Sequence, residues 1–331
     1  MAGEERGGGF GRPASGGCSP DGPGEAVASA AMPSLDPGLL DWAVRAVAPG
    51  AEVVAVRGLR DGGSPWLVRL GRRGRERSVV LRVGGDQDRP GLRTEVAALR
   101  LAAGHDLPAP RLLAADLDGD PPAVLVERVE GSSAIPPDRP PGRLRTLGRT
   151  AARLHAVALP PSPALPRRDR PIASVDFAAL RRRQPRPLLA EAEERVAGLG
   201  AAEADVLVHG DLWQGNALWR GDILAGLVDW DCAGVGPPGV DLGSLRCDAA
   251  VCFGMEAADD VRRGWEEEAG RPAAGLARWD VVAALSTPPD MGWFPGAIAG
   301  QGRPDLTRDV LVRRRDAFLR DALGRLDAGR G

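Results

Sequence analysis

The chain is 331 residues long, 43% hydrophobic and 27% charged, so a soluble globular protein of one two-lobed unit or about two domains is the expected class, and disorder throughout is excluded. A formal charge of −2 gives no chain-wide electrostatic reason to bind nucleic acid or an anionic membrane. All 43 basic residues are arginine, which removes the lysine of a Walker A loop and every lysine Schiff-base mechanism.

Residues 1–33 are rich in Gly and Pro and lack a periodic apolar face; they read as a disordered tail, with Met32 a second possible start. LLDWAVRAV, from Leu39, predicts a short helix. VVAVRGL, PWLVRLG and RSVVLRV then cluster or alternate β-formers between Gly-rich turns and predict three consecutive antiparallel strands. A helix over 90–103 follows, opened by Pro90, with Leu92, Val96, Leu99 and Ala103 on one face. PRLLAADLD and AVLVERV predict two more strands. Beyond Gly131 the pattern turns helical, with Leu144, Leu147, Ala151 and Leu154 at helix spacing. Residues 158–187, rich in Pro and Arg, read as a loop or insertion, and Arg181, Arg182 and Arg183 as a solvated face.

The four cysteines, Cys18, Cys232, Cys247 and Cys252, form no CxxC pair, and with three histidines in the chain neither a structural zinc site nor a disulfide framework is expected. No apolar run approaches the ~20 residues of a membrane span, and the N-terminus lacks a signal-peptide layout; a cytoplasmic location is expected. Residues 201–331 carry 21 acids against 14 arginines. Those acids, among them Asp248, Glu256, Asp259, Asp260, Glu266, Glu267, Glu268 and Asp290, are candidates to attract a cationic substrate, although most of them are expected simply to be solvated.

The informative segment is residues 206–245, VLVHGDLWQGNALWRGDILAGLVDWDCAGVGPPGVDLGSL. Asp211 stands five residues before Asn216, Asn216 thirteen before Asp229, and Asp229 twelve before Asp241, with apolar flanks around short polar runs. Phosphoryl transfer needs a carboxylate near the acceptor hydroxyl and hard oxygen ligands to hold Mg2+ on the nucleotide phosphates. Asp211 suits the first task; Asn216, the only asparagine in the chain, and Asp229 suit the second. A hairpin over Ala217 to Val228 would fold Asp229 back beside Asn216.

On these residues the sequence resembles the aminoglycoside phosphotransferase family of small-molecule kinases: HGDLWQGN matches its HGDxxxxN loop, VDWD its metal-binding strand end, and GVDLGSL the Asp-Leu beyond. The resemblance implies an α+β, protein-kinase-like two-lobed fold, with an N-terminal antiparallel β-sheet lobe and one helix over 37–130, and a mainly helical catalytic and substrate-binding lobe over 131–325. It also implies that Gly62, Gly63 and Ser64 cover the phosphates and that Arg82, in the usual place of a β3 lysine, steadies them while paired with Glu95. Glu127 and Val129 would offer backbone groups to adenine, and Asp241 and His209 would support the loop. The implied reactants are ATP with Mg2+ and a small hydroxyl acceptor, aminoglycoside-like or related. A metabolite kinase for homoserine, choline or a sugar, or a non-catalytic nucleotide-binding pseudokinase, are the alternatives.

Overall fold

The structure, a computed structural model, describes residues 35–60, 63–199 and 204–328. The expected tail over 1–33 and Gly62 lie outside the described residues.

The first helix, α1 (Pro37–Val47), starts where the Asp36 carboxylate accepts from the Gly38 N–H at 2.6 Å, satisfying one of the donors a helix start leaves unpaired. Three strands follow, β1 (Glu52–Arg60), β2 (Gly63–Arg72) and β3 (Arg75–Val83), then α2 (Arg89–Gly104), β4 (Leu112–Asp116) and β5 (Ala123–Glu127). The strands form one antiparallel sheet in the order β1-β2-β3-β5-β4. Alternation decides its two faces. Trp66, Val68, Leu70, Val79, Leu81 and Leu125 point to a core shared with α1, while Val124 and Val126 share a second core with Leu92, Val96 and Leu99 of α2. The buried stripe of α2 ends on Ala102; Ala103, which the spacing places in line with 92, 96 and 99, is exposed in the last turn before Gly104.

The second lobe begins with α3 (Pro141–His155), whose Leu144, Leu147, Ala151 and Leu154 are buried as the spacing predicts. The Pro- and Arg-rich stretch expected as a loop contains α4 (Phe177–Arg183), and α5 (Pro187–Val196) follows. Two features nucleate α4: the Asp176 carboxylate accepts from the Ala179 N–H at 2.8 Å, and Phe177 is buried beneath the Arg170 guanidinium. Arg181 is not part of a solvated face. It reaches Glu193 and the Leu285 carbonyl, while Arg182 and Arg183 remain exposed. Short strands β6 (Val206–Val208), β7 (Ala217–Arg220), β8 (Ile223–Leu227) and β9 (Gly234–Gly236) pair as β6 with β9 and β7 with β8. Helices α6 (Gly239–Phe253), α7 (Met255–Ala269), α8 (Leu276–Leu285), α9 (Phe294–Gly300) and α10 (Arg308–Ala328) complete the lobe.

Helices α3 and α7 approach backbone to backbone through two glycines. A Cβ on Gly148 would lie 2.1 Å from the Val261 carbonyl oxygen, and one on Gly264 2.1 Å from that of Arg145. Since backbone cannot swing aside as a side chain does, Gly264→Ala is expected to destabilise the fold by about 3 kcal/mol, read as a lower urea midpoint at unchanged slope.

Candidate active site

The segment that leaves β6 is held by one carboxylate. Asp241, in the first turn of α6 and fully buried, accepts from the backbone N–H of His209 at 2.7 Å and of Gly210 at 2.9 Å. His155, on α3, stands 3.3 Å from the same carboxylate through Nε2, and its Nδ1 accepts from the Trp265 indole N–H at 2.9 Å. Because an indole nitrogen only donates, the His155 proton sits on Nε2 and points at Asp241. Burial pushes the Asp241 carboxyl up, and His155 and the two N–H donors outweigh this and hold it below the usual carboxylate range. His209 Nε2 lies 3.1 Å from the Val228 carbonyl and so donates to it, and burial pulls the ring below its ordinary pKa. Gly210 has φ +78°, and a Cβ there would meet the Cys232 carbonyl oxygen at 2.1 Å. Only glycine satisfies both demands, and the turn it permits delivers Asp211.

Asp211 and Asn216 face each other. The Asn216 amide nitrogen donates to the Asp211 carbonyl at 2.9 Å and to its carboxylate at 3.2 Å, which leaves the amide oxygen as the atom this side chain can offer to a hard cation. The β7–β8 hairpin pairs Ala217 with Leu227, and the Val228 N–H donates to the Asn216 carbonyl at 2.9 Å. The chain thus returns Asp229 to Asn216, as expected. Asp229 adopts a left-handed backbone, φ 69° and ψ 61°, a conformation Asp tolerates better than most residues.

From the upper lobe Arg82 on β3 enters this acidic group. Its Nη1 donates to Glu95 on α2 at 2.9 Å and to Asp229 at 2.8 Å, and its Nη2 to Asp231 at 3.0 Å. Burial works against the guanidinium charge, but the three carboxylates outweigh it and raise the pKa. Burial pushes Glu95 up to about 7, since one cation has to serve three acids and Asp229 and Asp231 add repulsion. Asp231 belongs to the VDWD run but was not singled out there; its contact with Arg82 spans 149 positions, which only the assembled lobes reveal. Arg82→Ala, which strands a buried Glu95, is expected to cost about 3 kcal/mol. Adding Glu95→Gln should recover a large part, so urea melts of the single and double variants measure the coupling.

Gly63 opens β2 opposite Arg60. Ser64 Oγ accepts from the Val83 N–H at 3.0 Å, tying the turn to the residue after Arg82. Glu127 ends β5, where its own N–H already donates to the Arg111 carbonyl at 2.8 Å, so its backbone could offer a base only the carbonyl. Val129, two residues on, lies over Gly226 of β8. The structure therefore brings Arg82, Glu95 and Asp229 into contact, pairs Asp211 with Asn216, and sets Glu127 and Val129 at the crossing between the lobes.

Beside Asp211 opens a cavity with about 730 Å³ of empty space, including its mouth, lined among others by Ile172, Trp213, Asp248, Met291 and Trp293. Asp248 alone of the eight acids named above lines it; burial pushes its carboxyl up to about 6. Gln214, three residues after Asp211, donates to it through both its backbone and its side chain. Sequence reasoning left the roles of Trp213, Gln214 and Ile172 unread, although the first two stand inside the HGDLWQGN run.

No helix among the described residues is long and apolar enough to cross a membrane. No curated protein matches the chain in sequence. In structure it is similar to an aminoglycoside-3'-phosphotransferase of type VIII, with 24% identity over 74% of this chain and 98% of that one at a TM-score of 0.52. It is also similar to the macrolide 2'-phosphotransferase MphH from Brachybacterium faecium, with 20% identity over 84% and 97% and a TM-score of 0.57. A thermostable mutant of aminoglycoside phosphotransferase APH(4)-Ia, in ternary complex with AMP-PNP and hygromycin B, matches at 18% identity over 83% and 97% with a TM-score of 0.54. These likenesses identify the two lobes as a kinase-like fold. The model of the Phosphotransferase enzyme family matches residues 55–282, from β1 into α8, and the chain belongs to that family.

Proposed function

We propose that the protein transfers the γ-phosphoryl group of ATP, with Mg2+, to a hydroxyl of a small-molecule acceptor. The observation that carries this reading is the contact of Arg82 with Asp229 where the lobes join, beside the Asp211–Asn216 pair to which the β7–β8 hairpin returns the chain, with a cavity opening beside Asp211. The donor set fits a nucleotide-bound magnesium ion. Mg2+ typically takes one or two protein carboxylates and completes its shell with phosphate oxygens and water, and the described residues contain no cluster of three or more His, Cys, Asp or Glu that would make an all-protein cage. When bound, the ion neutralises charge building on the phosphate oxygens.

In this reading Asp229 and Asn216 hold the metal through oxygen, and Arg82, fixed by Glu95, presents several N–H groups to phosphate oxygens. Asp211 orients the acceptor hydroxyl and takes its proton, with Asn216 fixing the carboxylate rotamer. Gly62, Gly63 and Ser64 would bring backbone N–H groups to the phosphates, and Glu127 and Val129 would meet the adenine edge. A chain match to a complex with AMP-PNP supports the nucleotide. The hold of Arg82 on Asp229 also favours a second reading, a nucleotide-binding scaffold in which the guanidinium stands where a metal would.

Incubation with Mg-ATP and a panel of antibiotics, aminoglycosides included, and metabolite alcohols decides between them. The expected result is ADP release with a product mass gain of ~80 Da for at least one acceptor. Tight Mg-ATP binding with no transfer to any acceptor overturns the kinase reading.

A further inference from the structure

The composition of the cavity beside Asp211 carries information about the acceptor. Trp213, Val251, Met291, Trp293, Phe294 and Ile298 form much of its wall, and among the described residues no arginine lines it and Asp211 and Asp248 are its carboxyls. Asp248 already accepts from the Gln214 backbone N–H at 3.2 Å and from its side-chain nitrogen at 2.8 Å. Four of the other acids of this lobe pair with arginines: Asp260 with Arg139 at 2.7 Å, Glu266 with Arg262 at 2.6 Å, Glu267 with Arg149 at 2.6 Å and Asp290 with Arg308 at 3.1 Å. The acidic excess of the sequence thus lies mostly outside the cavity.

The wall is also fixed in advance. Arg315, fully buried, donates to Thr287 Oγ1 at 2.8 Å and to the Pro289 carbonyl at 2.8 Å, and Arg186 reaches the same carbonyl at 2.7 Å. Ile172 and Met291, both on the wall, hold φ of 48° and 60°, a left-handed backbone that a β-branched residue adopts only where its surroundings impose it. Such a wall selects by its existing surface instead of rearranging to supply new charges.

An ammonium group set against tryptophan, phenylalanine and methionine gives up hydration; a ring face or the hydroxyls of Ser244, Ser286 and Thr287 return part of that cost, and a carboxylate is what balances the charge. Two carboxylates, one of them engaged with the acceptor hydroxyl in the kinase reading, do not balance three or four positive charges. We propose that the acceptor is an alcohol with a predominantly apolar body and at most one positive charge, and not a polycation. The inference rests on the kinase reading of Asp211, and it names the acceptor class for that same site.

The test uses the full chain and five probes: 4-phenyl-1-butanol and 4-tert-butylcyclohexanol (apolar, neutral), tropine (apolar, one cation), myo-inositol (polar, neutral) and kanamycin A (polycationic). Binding is measured by titration calorimetry at two temperatures and phosphorylation by product mass. The apolar alcohols and tropine are expected to bind with a negative heat-capacity change, the mark of apolar burial. Trp293→Ala should weaken them about tenfold while Trp293→Phe retains most of the affinity. Kanamycin A binding more tightly than tropine, and being phosphorylated, overturns the inference and leaves the kinase reading standing. Binding of the apolar probes without transfer to any of the five, with Mg-ATP bound, supports the described pocket and counts against the kinase reading instead. Absence of binding by all three apolar probes, in a protein whose melt is normal, overturns the inference.

Discussion

Asp229→Asn is expected to reduce turnover about a thousandfold while the protein still folds. The side chain keeps its size, and asparagine accepts the left-handed backbone that Asp229 occupies. What is lost is the charge facing Arg82 and, in the proposed reaction, the anionic metal ligand. Arg82 retains Glu95 and Asp231 as partners, so the lobes stay tied. Asp229→Ala should be equally inactive but less stable by about 1 kcal/mol, the strain of placing an ordinary side chain at positive φ. Asp211→Asn should also lower turnover about a thousandfold, by removing the group that takes the hydroxyl proton. Rates of ADP release with a working acceptor, beside urea melts of each variant, check this. Full phosphotransfer by either Asp229 variant would show that the metal assignment is wrong.

A second large effect is expected in stability. Asp241→Asn puts an amide where two backbone N–H groups and the protonated Nε2 of His155 all donate to one carboxylate. Its NH2 group is then set against a donor and one partner is left unsatisfied in a fully buried position, at a cost of about 3 kcal/mol. Turnover should fall too, because the same bonds hold the backbone immediately before Asp211. The pH dependence has a definite sign. Asp241 is held below the ordinary carboxylate range, so its contribution is fully present above the unfolded carboxylate pKa and is lost as the pH falls through the lower folded value. The wild type should therefore lose stability on acidification more steeply than Asp241→Asn below about pH 4, seen in urea midpoints taken across that range.

Much of the architecture was legible in local pattern. The strands from Val53 to Val83 announce themselves by β-formers between glycine turns, and the stripe through Leu92, Val96 and Leu99 marks the helix behind them. The loop carrying Asp211 and Asn216 was legible because its chemistry is concentrated in a few adjacent positions. Where reading failed, the cause lay in distance along the chain. The helix from Phe177 hides among prolines, since seven residues show too little periodicity, and its start depends on burial of one phenylalanine. The partial burial of Arg181 goes with a bond to a carbonyl 104 positions away. Nor does a sequence show which acids of the last third, candidates to attract a cation but mostly expected to be solvated, have arginine partners and which one lines the cavity. Trp213 and Trp293 line the cavity, whereas Trp265 and Trp279 are buried, a division that composition does not reveal.

The placement of Arg82 has a practical consequence. In a chain with no lysine side chain, the cation that meets Asp229 and Glu95 carries no amine to acylate. Reagents that label kinases by transferring an acyl group from a nucleotide to a nearby ε-amine would pass this protein by, and its profile in such a survey would be blank whatever its turnover. Enzymatic acetylation of lysine has no target in it either, so that way of masking the charge is closed to any control over the protein.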